Sequence, residues 1–114
     1  MPLLRELRLS NTQKRALTRL KAELTAHYPV AKTLIFGSVA RGTAEKESDL
    51  DVLVLTKRPM KHREKHDIYA TVTKINQAYD SNISALIVDE RSWENGLYSL
   101  LPIKEEVNRD GVTF

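Results

Sequence analysis

Gly37, Ser38, Asp49 and Asp51 lie within one short stretch of the chain and have the types and spacing to work on a phosphate. Asp49 and Asp51 stand two apart in Ser48-Asp49-Leu50-Asp51-Val52-Leu53-Val54-Leu55, a run whose aliphatic and β-branched content reads as a strand. Alternate strand residues share a face, so the carboxylates emerge together, about 7 Å apart, where one divalent cation can be shared. Upstream, the apolar run Thr33-Leu34-Ile35-Phe36 leads into Gly37-Ser38-Val39-Ala40-Arg41-Gly42. Its two glycines permit a tight bend and close approach of backbone to a ligand. Ser38 falls at a helix start, where unpaired N–H groups attract an anion, and its hydroxyl and the Arg41 guanidinium add contacts to phosphate oxygens. A phosphate cradle beside a metal-holding carboxylate pair suits transfer at phosphorus, which depends on positioning and charge neutralisation.

Hydrophobic period locates the elements that must carry these residues. Leu17, Leu20 and Leu24, three and four apart, mark an amphipathic helix from Ser10 to about His27, with Ser10 or Asn11 as its cap and Pro29 after its end. A strand over 32–36 reaches the Gly-Ser turn, a polar loop spans Thr43 to Glu47, and the aspartate strand covers 49–55. In that strand Leu50, Val52 and Val54 share one face, while Asp49, Asp51, Leu53 and Leu55 share the other. Both faces become apolar beyond Asp51, which predicts a sheet covered by helices on each side away from the site.

Beyond Lys57-Arg58-Pro59-Met60, a polar helix from Lys61 to Tyr79 puts Ile68, Val72, Ile75 and Tyr79 on one stripe. A strand over 83–88 follows, and a helical crossover makes it parallel to the aspartate strand. Asp89 then caps a helix start, and Leu97, Leu100, Leu101, Ile103 and Val107 suggest short helical pieces interrupted at Gly96 and Pro102. Asp110-Gly111 closes the last piece. The expectation is a single α/β domain over 1–114, a small mixed sheet with helices.

Composition narrows the function classes. With 41% hydrophobic and 29% charged residues the chain reads as a soluble globular domain, and it has no apolar run long enough for a bilayer. Met1-Pro2-Leu3-Leu4-Arg5-Glu6 lacks the apolar core of a signal peptide, so a cytoplasmic location without membrane association is expected. Absence of cysteine excludes disulfides, thiolate metal sites and thiol nucleophiles. A net charge of +3 suits a triphosphate, and equally RNA or an acidic partner surface.

Gly37-Ser38-Val39-Ala40-Arg41-Gly42, followed by Ser48-Asp49-Leu50-Asp51 and its apolar strand, resembles the minimal nucleotidyltransferase domain of the DNA polymerase β-like superfamily. The resemblance covers roughly residues 30 to 90 and implies the polymerase β-like nucleotidyltransferase fold. It implies that Gly37 and Ser38 hold the tail of a nucleoside triphosphate, with ATP the expected one, and that Arg41 contacts it. It further implies that Asp49 and Asp51 hold Mg²⁺ for attack on the α-phosphate, with pyrophosphate leaving. Domains of this kind pair with HEPN-domain proteins as toxin–antitoxin modules, and some adenylylate a tyrosine on that partner. The implied activity is transfer of a nucleoside monophosphate to a hydroxyl acceptor, expected on another protein or an oligomeric neighbour.

One departure bears on activity. Active members carry a third carboxylate near the start of a later strand, and in Ile83-Ser84-Ala85-Leu86-Ile87-Val88 that position is Ser84. Asp80, just before this strand, is a candidate substitute; Asp89, at its far end, is not. Ser84 therefore keeps a second reading open: a non-catalytic nucleotide-binding module that neutralises a partner by stoichiometric association. A homodimer also stays open.

Three other features have plainer readings. His62 and His66 have the i,i+4 spacing of a metal clamp on a helix face, but they sit in a mixed charge run typical of a solvated helix start, which is the expected reading. Trp93 and Tyr98 could stack on a base and are expected instead to be packing residues. Arg5, Arg8, Lys14, Arg15, Arg19 and Lys21 give the first helix a basic face, solvated by default and able to dock RNA or an acidic protein.

Overall fold

The computed structural model describes residues 7–45 and 48–114. Arg5 of the basic face and Glu47 at the end of the polar loop lie outside them. Four strands form one mixed sheet in the order β3-β2-β1-β4. They are β1 (Val30–Phe36), β2 (Leu50–Thr56), β3 (Ile83–Asp89) and β4 (Val112–Thr113). Strand β1 pairs antiparallel with β2 and β4, and β2 pairs parallel with β3, as a helical crossover requires. The switch in direction brings the C-terminal end of β1 and the N-terminal ends of β2 and β3 to one edge of the sheet.

The alternation along β2 divides the core in two. Leu50, Val52 and Val54 pack under α1 (Asn11–His27) and α3 (His62–Tyr79), joined by Leu20, Leu24 and Ile68. Leu53 and Leu55 face the other way, with Trp93 of α4 (Glu90–Asn95) and Val107 of α5 (Pro102–Asp110). Leu20, Leu24, Leu50, Leu53 and Ile68 are all fully buried, and each such side chain contributes about 1.5–3 kcal/mol to holding the sheet between its helices. Among the described residues no helix is long and apolar enough to cross a membrane.

Local chemistry sets the boundaries. The Gln13 N–H donates to Ser10 Oγ at 3.0 Å and the Ser10 N–H to Gln13 Oε1 at 2.9 Å, a reciprocal box that starts α1 and selects Ser10 over Asn11 as its cap. Asp89 caps α4 by accepting the Ser92 N–H at 3.0 Å. Strand β1 begins two residues before its expected start, because Val30 pairs with Thr56 across an irregularity in register and the exposed Ala31 and Lys32 conceal it. Strand β2 begins at Leu50, so Asp49 stands just ahead of it. Strand β4 is the element without a sequence expectation: two residues show no period, and pairing with Leu34 and Ile35 defines it. The buried Thr33 hydroxyl donates to the Phe114 carbonyl at 2.8 Å and the Phe114 N–H to Thr33 O at 3.1 Å, which fastens this last segment.

Candidate functional site

Strand β1 ends at Phe36, and Gly37 turns the chain into a single helical turn, α2 (Gly37–Arg41). Gly37 has φ +75°, and a Cβ there would collide with the Asp51 carboxylate, so both conformation and space require glycine. Val39 and Ala40 are buried and anchor the turn, which leaves Ser38 half-buried and Arg41 exposed on its outer side. Gly42, in the left-handed region at φ +76°, closes the turn with its N–H directed to the Ser38 and Val39 carbonyls. Among the described residues no side chain caps the start of α2.

Asp51 is directly opposite Phe36 on β1 and directly beside Ser84 on β3. Burial pushes its carboxyl above the ordinary value of 3.8, the charge of Asp49 pushes it further, and Arg41 offsets part of the rise. Asp49 and the Arg41 guanidinium are thus both close enough to act on the Asp51 charge. Asp51 is half-buried and Asp49 exposed, so the pair opens to solvent at the sheet edge. Two hard oxygen donors of this kind suit one Mg²⁺ whose remaining positions are filled by water and phosphate oxygens.

Asp80 does not complete the set. It is the left-handed C-cap of α3, and among the described residues no group of three metal-ligating side chains occurs. Asp89 pairs with Thr56 at the opposite end of the sheet. Ser84, the residue at which the resemblance implies a third acid, is exposed and in register with Asp51. His62 and His66 are exposed on the first turns of α3, and Trp93 is only 2% exposed, with its ring centroid 6.1 Å from that of Tyr98. Two residues without any sequence motif, Asn76 and Asn82, hold the start of β3 and the loop before Asp49.

The glycine-serine turn thus abuts one carboxylate of a pair at one end of the mixed sheet. The chain belongs to the nucleotidyltransferase domain family, whose model matches residues 17–108. It is 39% identical over 56 residues to a Methanocaldococcus jannaschii protein provisionally named a protein adenylyltransferase, a match that takes in 49% of this chain and 57% of that relative. The chain thus spans little more than half the length of this relative. A solved structure described provisionally as a minimal nucleotidyltransferase superposes with a TM-score of 0.58 at 26% identity, over 89% of this chain and 94% of that one. The fold is also shared, at a TM-score of 0.53 and 18% identity over 90% of this chain and 70% of the other, with a chain from the tri-AMPylated Shewanella oneidensis HEPN toxin in complex with MNT antitoxin.

Proposed function

We propose that this chain is a Mg²⁺-dependent nucleotidyltransferase that moves AMP from ATP to a hydroxyl group on a partner protein, of which a HEPN-domain protein is the model. The observation that carries this reading is the contact of Asp51 with the Gly37 backbone, which ties the carboxylate pair to the phosphate turn. In this reading Ser38, the backbone N–H groups of α2 and Arg41 hold the triphosphate tail, while Asp49 and Asp51 are the residues that would hold the cation. A bound Mg²⁺ would neutralise negative charge at the reacting phosphorus. The acceptor oxygen forms its bond to that phosphorus as the bond to pyrophosphate breaks, and the acceptor proton leaves. Ser84 is too weak a base to take it at neutral pH, so the proton passes to solvent or to a base beside the acceptor.

A protein acceptor is supported by the surface. Leu97 and Leu100 are 70% and 84% exposed on the turn Leu97–Leu100, and Leu101 adjoins them. Exposed leucines this close in sequence offer apolar surface of the sort that protein contacts cover. The name of the archaeal relative and the modified toxin of the Shewanella complex support the same acceptor class.

Ser84 favours a second reading, in which the site binds nucleotide without turnover and the chain neutralises its partner by association. ATP labelled at the α-phosphate, incubated with Mg²⁺, this chain and a HEPN-domain partner, separates the two. Label on the partner with stoichiometric pyrophosphate release supports transfer. Complex formation without label supports the binding module.

A further inference from the structure

We infer that Asn82 is a positioning residue of the site, a brace that sets where Asp49 presents its carboxylate. Asp49 precedes β2 and has no ladder pairing of its own. The residues on either side of it are both bonded to Asn82. The Asn82 side-chain amide donates to the Ser48 carbonyl at 2.8 Å, and the Asn82 carbonyl accepts the Leu50 N–H at 3.1 Å. One residue of β3's lead-in thus grips the chain immediately before and immediately after the exposed carboxylate.

Both ends of this brace are fixed. Ser48 is closed onto Glu45, donating its N–H to Glu45 O at 3.0 Å and accepting the Glu45 N–H on its hydroxyl at 2.9 Å. Behind Asn82, the Asn76 side chain of α3 clamps both neighbours. Its Oδ1 accepts the Ile83 N–H at 2.8 Å and the Ser81 hydroxyl at 2.9 Å, and its Nδ2 donates to Ile83 O at 2.9 Å. The half-buried Asn76 is locked by the helix that carries it, so the position of α3 reaches Asp49 through Asn76, Ser81, Ile83, Asn82 and Ser48. Groups that orient a metal ligand from behind typically carry about 10- to 100-fold in affinity. Asn82 is exposed and its amide makes one bond, so the lower end of that range applies.

The inference rests on the proposed metal role of Asp49, and two measurements keep them separable. In ligand-free protein, ¹⁵N relaxation of Asn82→Ala is expected to show Ser48 and Asp49 dropping from rigid-backbone order parameters, about 0.85, toward about 0.6, with the β2 interior unchanged. Titration with ATP in the presence of Mg²⁺ is expected to show about tenfold weaker binding by Asn82→Ala, partly restored in Asn82→Gln, with ATP binding in EDTA unaltered. Rigid Ser48 and Asp49 in Asn82→Ala, or undiminished Mg²⁺-dependent affinity, would overturn the brace. No Mg²⁺-dependent binding by the unaltered chain, with Asp49 loosened in Asn82→Ala, would overturn the metal role itself and with it the function assigned to the brace.

Discussion

Ser84 lies directly beside Asp51 across the parallel β2–β3 pair, on the same face of the sheet, and is exposed. An acid introduced at this position would stand in register with Asp51. Ser84→Asp places a carboxylate there and brings like charges into adjacent register, at a cost of roughly 0.2–1 kcal/mol to the metal-free domain. With Mg²⁺ and ATP the sign reverses, and calorimetry is expected to show tighter binding and more metal per chain than the unaltered protein. Unchanged metal stoichiometry would show that Ser84 is not at the missing ligand position.

Gly37 is fixed twice, by φ +75° and by the Asp51 carboxylate against its backbone. In Gly37→Ala the left-handed conformation alone costs on the order of 1–2 kcal/mol, and the methyl group must also displace Asp51. A lower Tm together with loss of Mg²⁺–ATP binding is the expected pair of effects. Gly42 has the same positive φ but open space around a Cβ, so Gly42→Ala is expected to lower Tm while keeping more of the binding.

Asp51 sets a pH dependence whose sign is fixed by its surroundings. Burial first, then Asp49, raise its folded pKa above 3.8, so between 3.8 and the raised value the native state holds more protons than the unfolded chain. Its contribution to the stability of the metal-free domain therefore falls as pH rises through that window, and the cost is complete above it. Thermal melts without metal are expected to place Asp51→Asn above the unaltered protein at pH 7, with the difference closing as pH falls toward 3.8. Mg²⁺-dependent ATP binding by the unaltered protein should weaken over the same descent, as the ligand takes up its proton. An Asp51→Asn variant less stable than the parent at pH 7 would contradict the assigned environment.

Leu100 is 84% exposed and contributes little to the core. Leu100→Glu is expected to keep Tm within the change of about 0.5 kcal/mol usual for surface substitutions and to leave Mg²⁺–ATP binding intact, while weakening association with a HEPN-domain partner in pull-down titrations. Equal partner affinity would move the docking surface elsewhere.

The fold was legible wherever burial imposes a period. Leu17, Leu20 and Leu24 announced α1, and the alternation of Val52 and Val54 against Leu53 and Leu55 announced a sheet covered on both faces. The parallel pairing of β2 with β3 follows from the helix between them and puts the start of β3 at the end of the sheet that carries the aspartates, while the pairing of Ser84 with Asp51 is a matter of register that the sequence does not state. Strand β4 was not legible, because two residues held by a neighbouring strand leave no pattern of their own. Asn76 and Asn82 were hidden for a related reason. Side-chain amides that bond backbone groups depend on where the chain has already been brought, and Asn82 meets Ser48 from 34 residues away. Asp80 is near β3 in sequence, but it is the left-handed C-cap of α3 at φ 51°, and among the described residues it joins no group of three metal-ligating side chains.

The central claim is that Asp49 and Asp51 hold a metal that joins ATP to the Gly37-Ser38 turn. Calorimetric titration of the folded protein with ATP, with Mg²⁺ and with EDTA, alongside Asp49→Ala and Asp51→Ala, tests it most directly. The account predicts binding that depends on Mg²⁺ in the unaltered chain and is lost in both variants, with circular dichroism unchanged because neither carboxylate belongs to the core. Equal Mg²⁺–ATP affinity in all three proteins would contradict it.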